Sequence, residues 1–217
     1  MADLGPRLEA ALALLSGAKR LADVGADHGH LAIEAVARGL VKSAVASDVR
    51  EDPCAKAAEN VRAAGLSGSI EVRCADGLPA AVSADAVAIL GMGGRLIVRI
   101  LYAACLAGVD RLVLGPNSDA GAVRGWLEEN DFAIDQEQFV KDRGKYYQVM
   151  LASPGTMRLN AAERAFGPLI LQKQGPALRE YVARRIAELN EAAMKAANPE
   201  KQAEIRRKTA FFKELIR

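Results

Sequence analysis

Two glycines bracket an acid and a histidine in the stretch LADVGADHGHL, which covers residues 21–31. The apolar run ends at Asp23, Gly25 permits a tight backbone turn, and Gly29 opens the helix-like stretch that follows. A dinucleotide-binding turn would read G-x-G-x-x-G, but Asp27 stands where its second glycine belongs. A carboxylate there would repel a pyrophosphate, and it favours a cationic ligand or one with hydroxyl and amino donors.

S-adenosylmethionine (SAM) is such a ligand, because it carries a sulfonium, an ammonium and a ribose diol. Asp48 ends the next strand-like run about 20 residues beyond the glycines, where an acid accepts hydrogen bonds from a ribose diol. Asp76 can accept from the amine of an adenine, and the GMGG stretch at 91–94 leaves room for close approach. Each acid alone could be a helix cap or a turn residue, and His28 could orient a carboxylate or cap a helix. The predicted SAM-binding residues are Asp23, Gly25, His28, Gly29, Asp48, Asp76, Gly77, Gly91, Met92 and Gly93.

The elements that must position these residues alternate between strand and helix. Strand-like runs are predicted at 20–24, 43–49, 69–76, 84–92 and 111–117. Helix-like runs between them imply a parallel sheet with helices on both faces, whose ligands bind at the carboxyl ends of the strands. FAIDQEQFV and YYQVMLA then pair as an antiparallel hairpin across Gly144. We therefore expect an α/β fold with a mixed seven-stranded sheet.

Charge and pattern change after about residue 156. Residues 1–156 hold 16 Lys/Arg and 20 Asp/Glu, a net of −4, whereas residues 157–217 hold 13 and 7, a net of +6. A three-four apolar spacing begins at Leu178, breaks at Asn198 and resumes at Ile205, which predicts an antiparallel helical hairpin. We predict two domains, 1–156 and an all-α, coiled-coil-like 157–217. Terminal helices packed on the main domain are the alternative.

A basic C-terminal segment is typical of proteins that contact a polyanion. The predicted RNA-binding residues are Arg184, Arg185, Arg206, Arg207 and Lys208. They lie off the apolar seam, so their charges are expected to be free to contact nucleic acid. The alternative is an ordinary Arg-rich helical surface.

Several other classes of protein are disfavoured. No stretch of the sequence approaches the ~20 uncharged apolar residues of a membrane span, and the first twenty residues carry acids, unlike a secretory signal. Cys54, Cys74 and Cys105 are far apart without C-x-x-C spacing, so we predict buried thiols and no metal site. We expect a cytoplasmic monomer that binds no membrane.

The segments LADVGADHGHLAI, GMGGRLIVRIL and LVLGPN resemble the bacterial tRNA adenine N1-methyltransferases that modify position 22 of tRNA. The resemblance covers nearly the whole chain, including the RAFGP segment at 164–168 and the helical tail. It implies a class I methyltransferase sheet with a C-terminal coiled-coil-like domain, SAM as methyl donor and tRNA as acceptor. The sequence departs from the family at His30 and Ala32, where an aromatic residue and a proline are common, and at Gly115, where glutamine is common.

The reaction implied by the resemblance is attack by adenine N1 on the methyl group of SAM. Neutral N1 already holds a lone pair, so positioning and charge stabilisation matter more than a strong base. Asp27, facing the sulfonium or the N6 amine, and Asn117, at the adenine edge, are the predicted catalytic residues.

Three alternatives stay open. Asp27 disfavours a nicotinamide-dependent oxidoreductase. The basic tail disfavours a methyltransferase for a small molecule, which would not need it. The polar residues at the strand ends disfavour a non-catalytic RNA-binding module, which would not need them. The small-molecule methyltransferase would share every feature of the donor site. Within the tRNA methyltransferase interpretation, another RNA as the methyl acceptor also stays open.

Overall fold

The computed structural model describes residues 4–78 and 83–216. Its strands are β1 (Arg20–Val24), β2 (Ser43–Asp48), β3 (Ile70–Cys74), β4 (Ala86–Leu90), β5 (Arg111–Gly115), β6 (Phe132–Asp142) and β7 (Lys145–Pro154). The helices of this described part are α1 (Gly5–Ala13), α2 (His30–Ala37), α3 (Glu51–Ala63), α4 (Gly94–Ala103), α5 (Ala120–Glu129), α6 (Ala161–Phe166), α7 (Pro168–Lys173), α8 (Pro176–Lys195) and α9 (Pro199–Glu214). No helix in these ranges combines the length and apolarity needed to cross a bilayer.

The seven strands form one sheet in the order β3-β2-β1-β4-β5-β7-β6. β1 to β5 are parallel, and β7 lies antiparallel between β5 and β6. The predicted mixed seven-stranded sheet is therefore confirmed. The strand order reverses beside β1, which pairs with both β2 and β4, so the ligand crevice of such a fold lies above the carboxyl end of β1.

The core lies on both faces of the sheet because successive strand residues point to opposite sides. Leu21 packs with α1 and α2 on one face, whereas its neighbour Ala22 packs with α4 and α5 on the other. Trp126 of α5 is buried on that second face and stacks against Phe132 at a centroid distance of 5.8 Å. Helices cover both faces of the sheet, so a ligand site must lie at an edge of the sheet.

Several strands are shorter than predicted. The run predicted at 69–76 is a strand only over 70–74, and the one at 84–92 only over 86–90. The surplus residues leave the hydrogen-bond ladder and form the loops at the carboxyl edge of the sheet.

The prediction of three buried thiols is wrong for two of them. Cys54 on α3 is buried, but Cys74 and Cys105 are exposed. Cys74 ends β3, which is an edge strand, and Cys105 follows the last turn of α4. Neither position is covered by a second layer, so neither thiol belongs to the core.

The C-terminal helices follow the predicted pattern. α8 and α9 lie antiparallel, since Leu178 at the start of α8 shares a cluster with Leu215 just after α9. Asn160 caps α6, where its side chain accepts from Glu163 N–H and the Glu163 carboxylate accepts from Asn160 N–H. The C-terminal helical segment is confirmed, while the boundary at residue 156 stays a prediction.

A buried ion pair joins the tail to the sheet. Arg124 of α5 donates to Glu137 Oε1 of β6 through Nε at 2.9 Å and Nη2 at 2.6 Å, and both side chains are fully buried. Arg124 Nη1 also donates to the carbonyl of Arg164 in α6, and Glu137 Oε2 accepts from Leu169 N–H in α7. Gly167 passes directly over Glu137, where an added Cβ would lie 2.2 Å from Oε1. This contact gives the RAFGP segment a structural role.

Candidate active site

A cavity of about 720 Å³ opens at the carboxyl ends of β1, β2, β4 and β5. Its strand-end wall contains Asp23, Gly25 and Asp48, together with residues of the loop after β4. Other lining residues come from α1 and from the β6–β7 hairpin, which contribute Arg7 and Tyr147. We call these the strand-end wall and the helix–hairpin wall.

The first turn adopts backbone conformations that favour glycine. Gly25 and Gly29 have φ of +72° and +75°, and Asp27 between them has φ of +50°. The N–H groups of Gly25 and Ala26 both donate to the carbonyl of Ser47 at 2.8 Å, which anchors the turn to β2. A Cβ added at Gly25 would lie 1.9 Å from the Met92 Cε, so the glycine lets the loop after β4 approach.

Asp23 is the buried acid of the strand-end wall. Burial raises the pKa of Asp23 to about 7, and a backbone hydrogen bond from Ala32 at the start of α2 lowers it by less. Its Oδ2 is buried and has no hydrogen-bond partner among the described residues. An acceptor left unpaired costs free energy, so this oxygen suits a ligand that brings a donor or a positive charge.

Asp48 forms the second acidic position. Its carboxylate accepts from the Arg50 backbone N–H at 3.0 Å, from Arg50 Nε at 3.2 Å and from Asp27 N–H at 3.3 Å. Burial raises the pKa of Asp48, but the hydrogen bonds and charge of Arg50 outweigh it and hold the pKa below its usual value. Asp48 is therefore an ionised acceptor that already sits beside a cation.

Asn117 lies where β5 ends and faces both walls. Its Nδ2 donates to the carbonyl of Gly91 at 2.6 Å, and its Oδ1 accepts from Arg7 Nη1 at 3.0 Å. The side-chain amide is thereby oriented with its oxygen toward the helix–hairpin wall. The Arg7 guanidinium also lies over the Tyr147 ring, 5.0 Å from its centroid.

The side chains of Asp27 and His28 are more exposed than the buried acids Asp23 and Asp48. The Asp27 side chain is 58% exposed, with its Oδ1 3.6 Å from Arg50 Nη2 and its Oδ2 3.7 Å from His28 Nε2. Both residues line the cavity. Asp27 can therefore present negative charge to a ligand, while Arg50 limits that charge.

The cavity unites part of the predicted set. Its walls include Asp23, Gly25, Asp27, His28, Asp48, Gly91, Met92 and Asn117. They do not include Gly29, Asp76, Gly77 and Gly93. Asp76 is exposed beyond the edge strand β3, and Gly93 caps α4. The SAM-site assignment of these residues stays a prediction.

Sequence reasoning missed several wall residues. The unpredicted polar wall residues are Arg7, Arg50, Asp142, Arg143 and Tyr147. His30, where the sequence departs from the family, also lines the cavity. Arg50 had a local signal, since it follows Asp48 by two positions. Arg7 and Tyr147 had none, because only the folded chain brings α1 and the hairpin to the carboxyl ends of the strands.

The five predicted RNA-binding residues lie on α8 and α9. Three of the five charges pair with acids of their own helix. Arg185 also lies over the ring of Phe212, 5.9 Å from its centroid, so the expectation that all five residues lie off the apolar seam is wrong for Arg185. Arg184 pairs with Glu188 at 2.9 Å, Arg185 pairs with the same carboxylate, and Lys208 pairs with Glu204. These i,i+3 and i,i+4 pairs follow from helical spacing. Arg206 and Arg207 are exposed and form no ion pair within the described ranges.

Residues 4–78 and 83–216 contain no group of three His, Cys, Asp or Glu side chains that could hold a metal ion. The cavity instead offers an unpaired buried carboxyl oxygen, an ionised acid and close-approaching glycines. A cationic ligand that also carries a ribose diol and an amine fits these acceptors.

Comparison with known proteins decides the family. The family model described as tRNA (adenine(22)-N(1))-methyltransferase matches residues 21–216. This chain belongs to that family. The membership expected from the turn, the GMGG stretch and the GPN stretch is thereby confirmed.

Individual members of the tRNA (adenine(22)-N(1))-methyltransferase family give the same result. The chain is 36% identical over 156 residues to the Bacillus subtilis enzyme of that name, covering 70% of this chain and 66% of the relative. The aligned part thus spans just under two thirds of that relative's length. The Streptococcus pneumoniae protein Sp1610 is 35% identical, with a TM-score of 0.92 and complete coverage of both chains. A second structure of Sp1610, in complex with S-adenosyl-L-methionine, has a TM-score of 0.87 over 97% of this chain and 98% of the other.

Proposed function

We propose that this protein transfers a methyl group from SAM to N1 of adenine 22 in tRNA. The observation that carries the proposal is the cavity at the topological switch point, where the unpaired Oδ2 of Asp23 and the ionised Asp48 face a glycine turn. Family membership over residues 21–216 supports the substrate and the position. Since tRNA is the substrate, we place the reaction in the cytoplasm.

The residues of the strand-end wall would hold SAM, which supplies an electrophilic methyl group on a sulfonium. Asp23 would accept hydrogen bonds from the ammonium, and Asp48 from the ribose hydroxyls. Gly25 and Gly91 would let the backbone approach the ligand closely. We assign Asp76 and Gly77 to the adenine moiety of SAM, although neither residue lines the cavity.

Asn117 and Asp27 would act on the target adenine. The amide orientation of Asn117 leaves Oδ1 facing the cavity, where it can accept from the N6 amine of an adenine. Asp27 would stabilise the positive charge that passes to the base. N1 needs no general base for attack because it already holds a lone pair, so the protein contributes positioning and exclusion of water.

The test is incubation of the purified protein with radiolabelled SAM and a tRNA transcript, followed by nucleoside mapping. We expect 1-methyladenosine at position 22, and no label in a matched transcript that carries guanosine there. Label on free adenosine and none on tRNA would reject the RNA substrate. Label at another nucleotide would reject the position but keep the reaction.

Asp48→Ala is expected to weaken the binding of SAM and of its demethylated product. Loss of hydrogen bonds to a charged acceptor costs roughly 1.5–3 kcal/mol, or about 10- to 150-fold in Kd. Calorimetric titration of the folded variant measures the change. The matched control is Asp110→Ala, an exposed acid before β5 and outside the cavity walls, which should bind like the wild type. Unchanged affinity in Asp48→Ala would remove Asp48 from the site.

We further propose that residues 157–217 contact tRNA through their basic surface. A tRNA is much larger than the cavity, so its phosphates must be held elsewhere, and the tail carries a net charge of +6. Arg206 and Arg207 are the strongest candidates because they are exposed and unpaired in the described structure. A single copy of the chain contains both surfaces, so we propose a monomer as the working unit.

Reversing Arg206 and Arg207 to Glu is expected to weaken tRNA binding and to leave SAM affinity intact. Each lost phosphate contact lowers the slope of log K against log salt by about 1. Filter binding at several salt concentrations measures both effects. Lys42→Glu with Arg62→Glu is the matched reversal on the catalytic domain. Equal losses in both double variants would indicate a general charge effect and reject the tail as the contact surface.

A further inference from the structure

The cavity has a flat aromatic surface that the proposed SAM site leaves unused. Tyr147 comes from β7 and lines the helix–hairpin wall of the cavity that Asp23 and Asp48 also line. It is half-buried, and it lies apart from the neighbouring aromatic cluster in which Tyr146 contacts Phe139 and Tyr181. Tyr147 therefore stands at a ligand cavity, outside the packing that holds the C-terminal helices.

In this structure a planar group lies over the Tyr147 ring, and this group has N–H donors at its own edge. The Arg7 guanidinium lies 5.0 Å from the ring centroid, and its Nη1 donates to Asn117 Oδ1 at 3.0 Å. An adenine is also planar, and its N6 amine also donates from the ring edge. The guanidinium thus makes the two contacts that an adenine in the same place would make, one with a π face and one with an amide oxygen.

The orientation of Asn117 extends this correspondence. Nδ2 is engaged with the carbonyl of Gly91, so the side chain presents an acceptor and not a donor to whatever lies on Tyr147. An acceptor suits N6 and makes no hydrogen bond to the lone pair of N1. A base held in this way would keep N1 available for methylation.

We propose that Tyr147 is the stacking surface for the target adenine, and that Arg7 holds the place of the base until tRNA binds. The inference rests on the proposed function, because it names the acceptor contact of the same site. A base that leaves its helix loses stacking energy, and an aromatic side chain compensates for part of that loss. On tRNA binding the base replaces the guanidinium on the ring and at Asn117.

The test compares Tyr147→Leu with Tyr147→Phe. Stacking contributes to the rate once tRNA is bound, whereas phosphate contacts dominate the affinity. We expect Tyr147→Leu to lower the single-turnover methylation rate, at saturating SAM and tRNA, about 10- to 100-fold. Tyr147→Phe keeps the aromatic face and should stay within about threefold of the wild type. The Kd for SAM should be unchanged in both variants.

Two controls separate stacking from other roles. Tyr102→Leu changes a tyrosine on α4 that is 64% exposed and lies outside the cavity walls, and it should methylate like the wild type. Arg7→Met removes the guanidinium that the base must displace and keeps the aromatic ring, so it should lose less of the saturating rate than Tyr147→Leu does. Tyr147→Met provides a second apolar variant should Tyr147→Leu fold poorly.

Three results would overturn the inference: a wild-type rate in Tyr147→Leu, an equal loss in Tyr147→Phe, or a matching loss of SAM affinity. A rate loss in Arg7→Met as large as in Tyr147→Leu would reject the place-holding role. A wild-type protein that leaves tRNA unmethylated would instead reject the proposed function, so the two failures are distinguishable.

Discussion

The Arg124→Met protein is expected to lose about 3–5 kcal/mol of its free energy of unfolding, because Glu137 would remain buried without its counter-ion. Both side chains are fully buried, so water cannot replace the lost contacts. The carbonyl of Arg164 would also lose its donor. The loss would loosen the attachment of α6 and α7 to the sheet.

Urea denaturation of the Arg124→Met and wild-type proteins measures this change. Arg95→Met is the matched control, because the Arg95 side chain is 90% exposed and pairs with Asp119 at 3.1 Å. An exposed pair contributes about 0–1 kcal/mol, so the control should be close to the wild type. Adding Glu137→Gln to Arg124→Met removes the unpaired charge and keeps an acceptor for Leu169 N–H, so it should recover part of the loss. Equal stability of Arg124→Met and Arg95→Met would contradict the prediction.

The Asp23→Asn protein is expected to be more stable than the wild type at pH 8 and to bind SAM much more weakly. The Asp23 pKa is raised to about 7 in the folded protein by burial, whereas an unfolded aspartate ionises near its ordinary value. Between these values only the unfolded chain gives up the proton, so this group lowers the free energy of unfolding as the pH rises from about 4 to 7. Asparagine removes that penalty, and the gain in thermal midpoint should appear at pH 8 and vanish at pH 4.

The same acid should make SAM binding depend on pH. The ammonium of SAM favours ionised Asp23, so the Kd of the wild type should rise about tenfold for each pH unit below 7. Asp23→Asn should abolish this dependence and weaken binding at least about thirtyfold, since close buried charge pairs contribute several kcal/mol.

Differential scanning fluorimetry and calorimetric titration between pH 5.5 and 8 give both readouts, with Asp110→Asn as the exposed control. A wild-type Kd that is constant from pH 5.5 to 7 would exclude Asp23 as the partner of the ammonium.

The carboxyl ends of the strands were predictable because their signal is local. An apolar strand followed by a glycine and an acid can be read within a few residues, and Asp23, Asp48 and Asn117 indeed line one cavity. The mixed seven-stranded sheet was also predictable from the chain, because two successive strand-like runs without a helix between them pair as an antiparallel hairpin. Asp76 shows the limit of this reasoning, because it lies two residues beyond the end of the edge strand β3 and does not line the cavity.

The rest depended on contacts between segments that are distant in the sequence. Arg7 and Asn117 are 110 positions apart, and no local pattern links a residue of α1 to the end of β5. Arg124 and Glu137 look like ordinary surface charges of a helix and a strand, yet α6 and α7 cover them completely. The sequence by itself determined the sheet and the acidic strand ends, because periodicity and turn residues act over a few positions. Only the tertiary structure decided the helix–hairpin wall and the buried ion pair, because these depend on which surfaces meet when the layers pack.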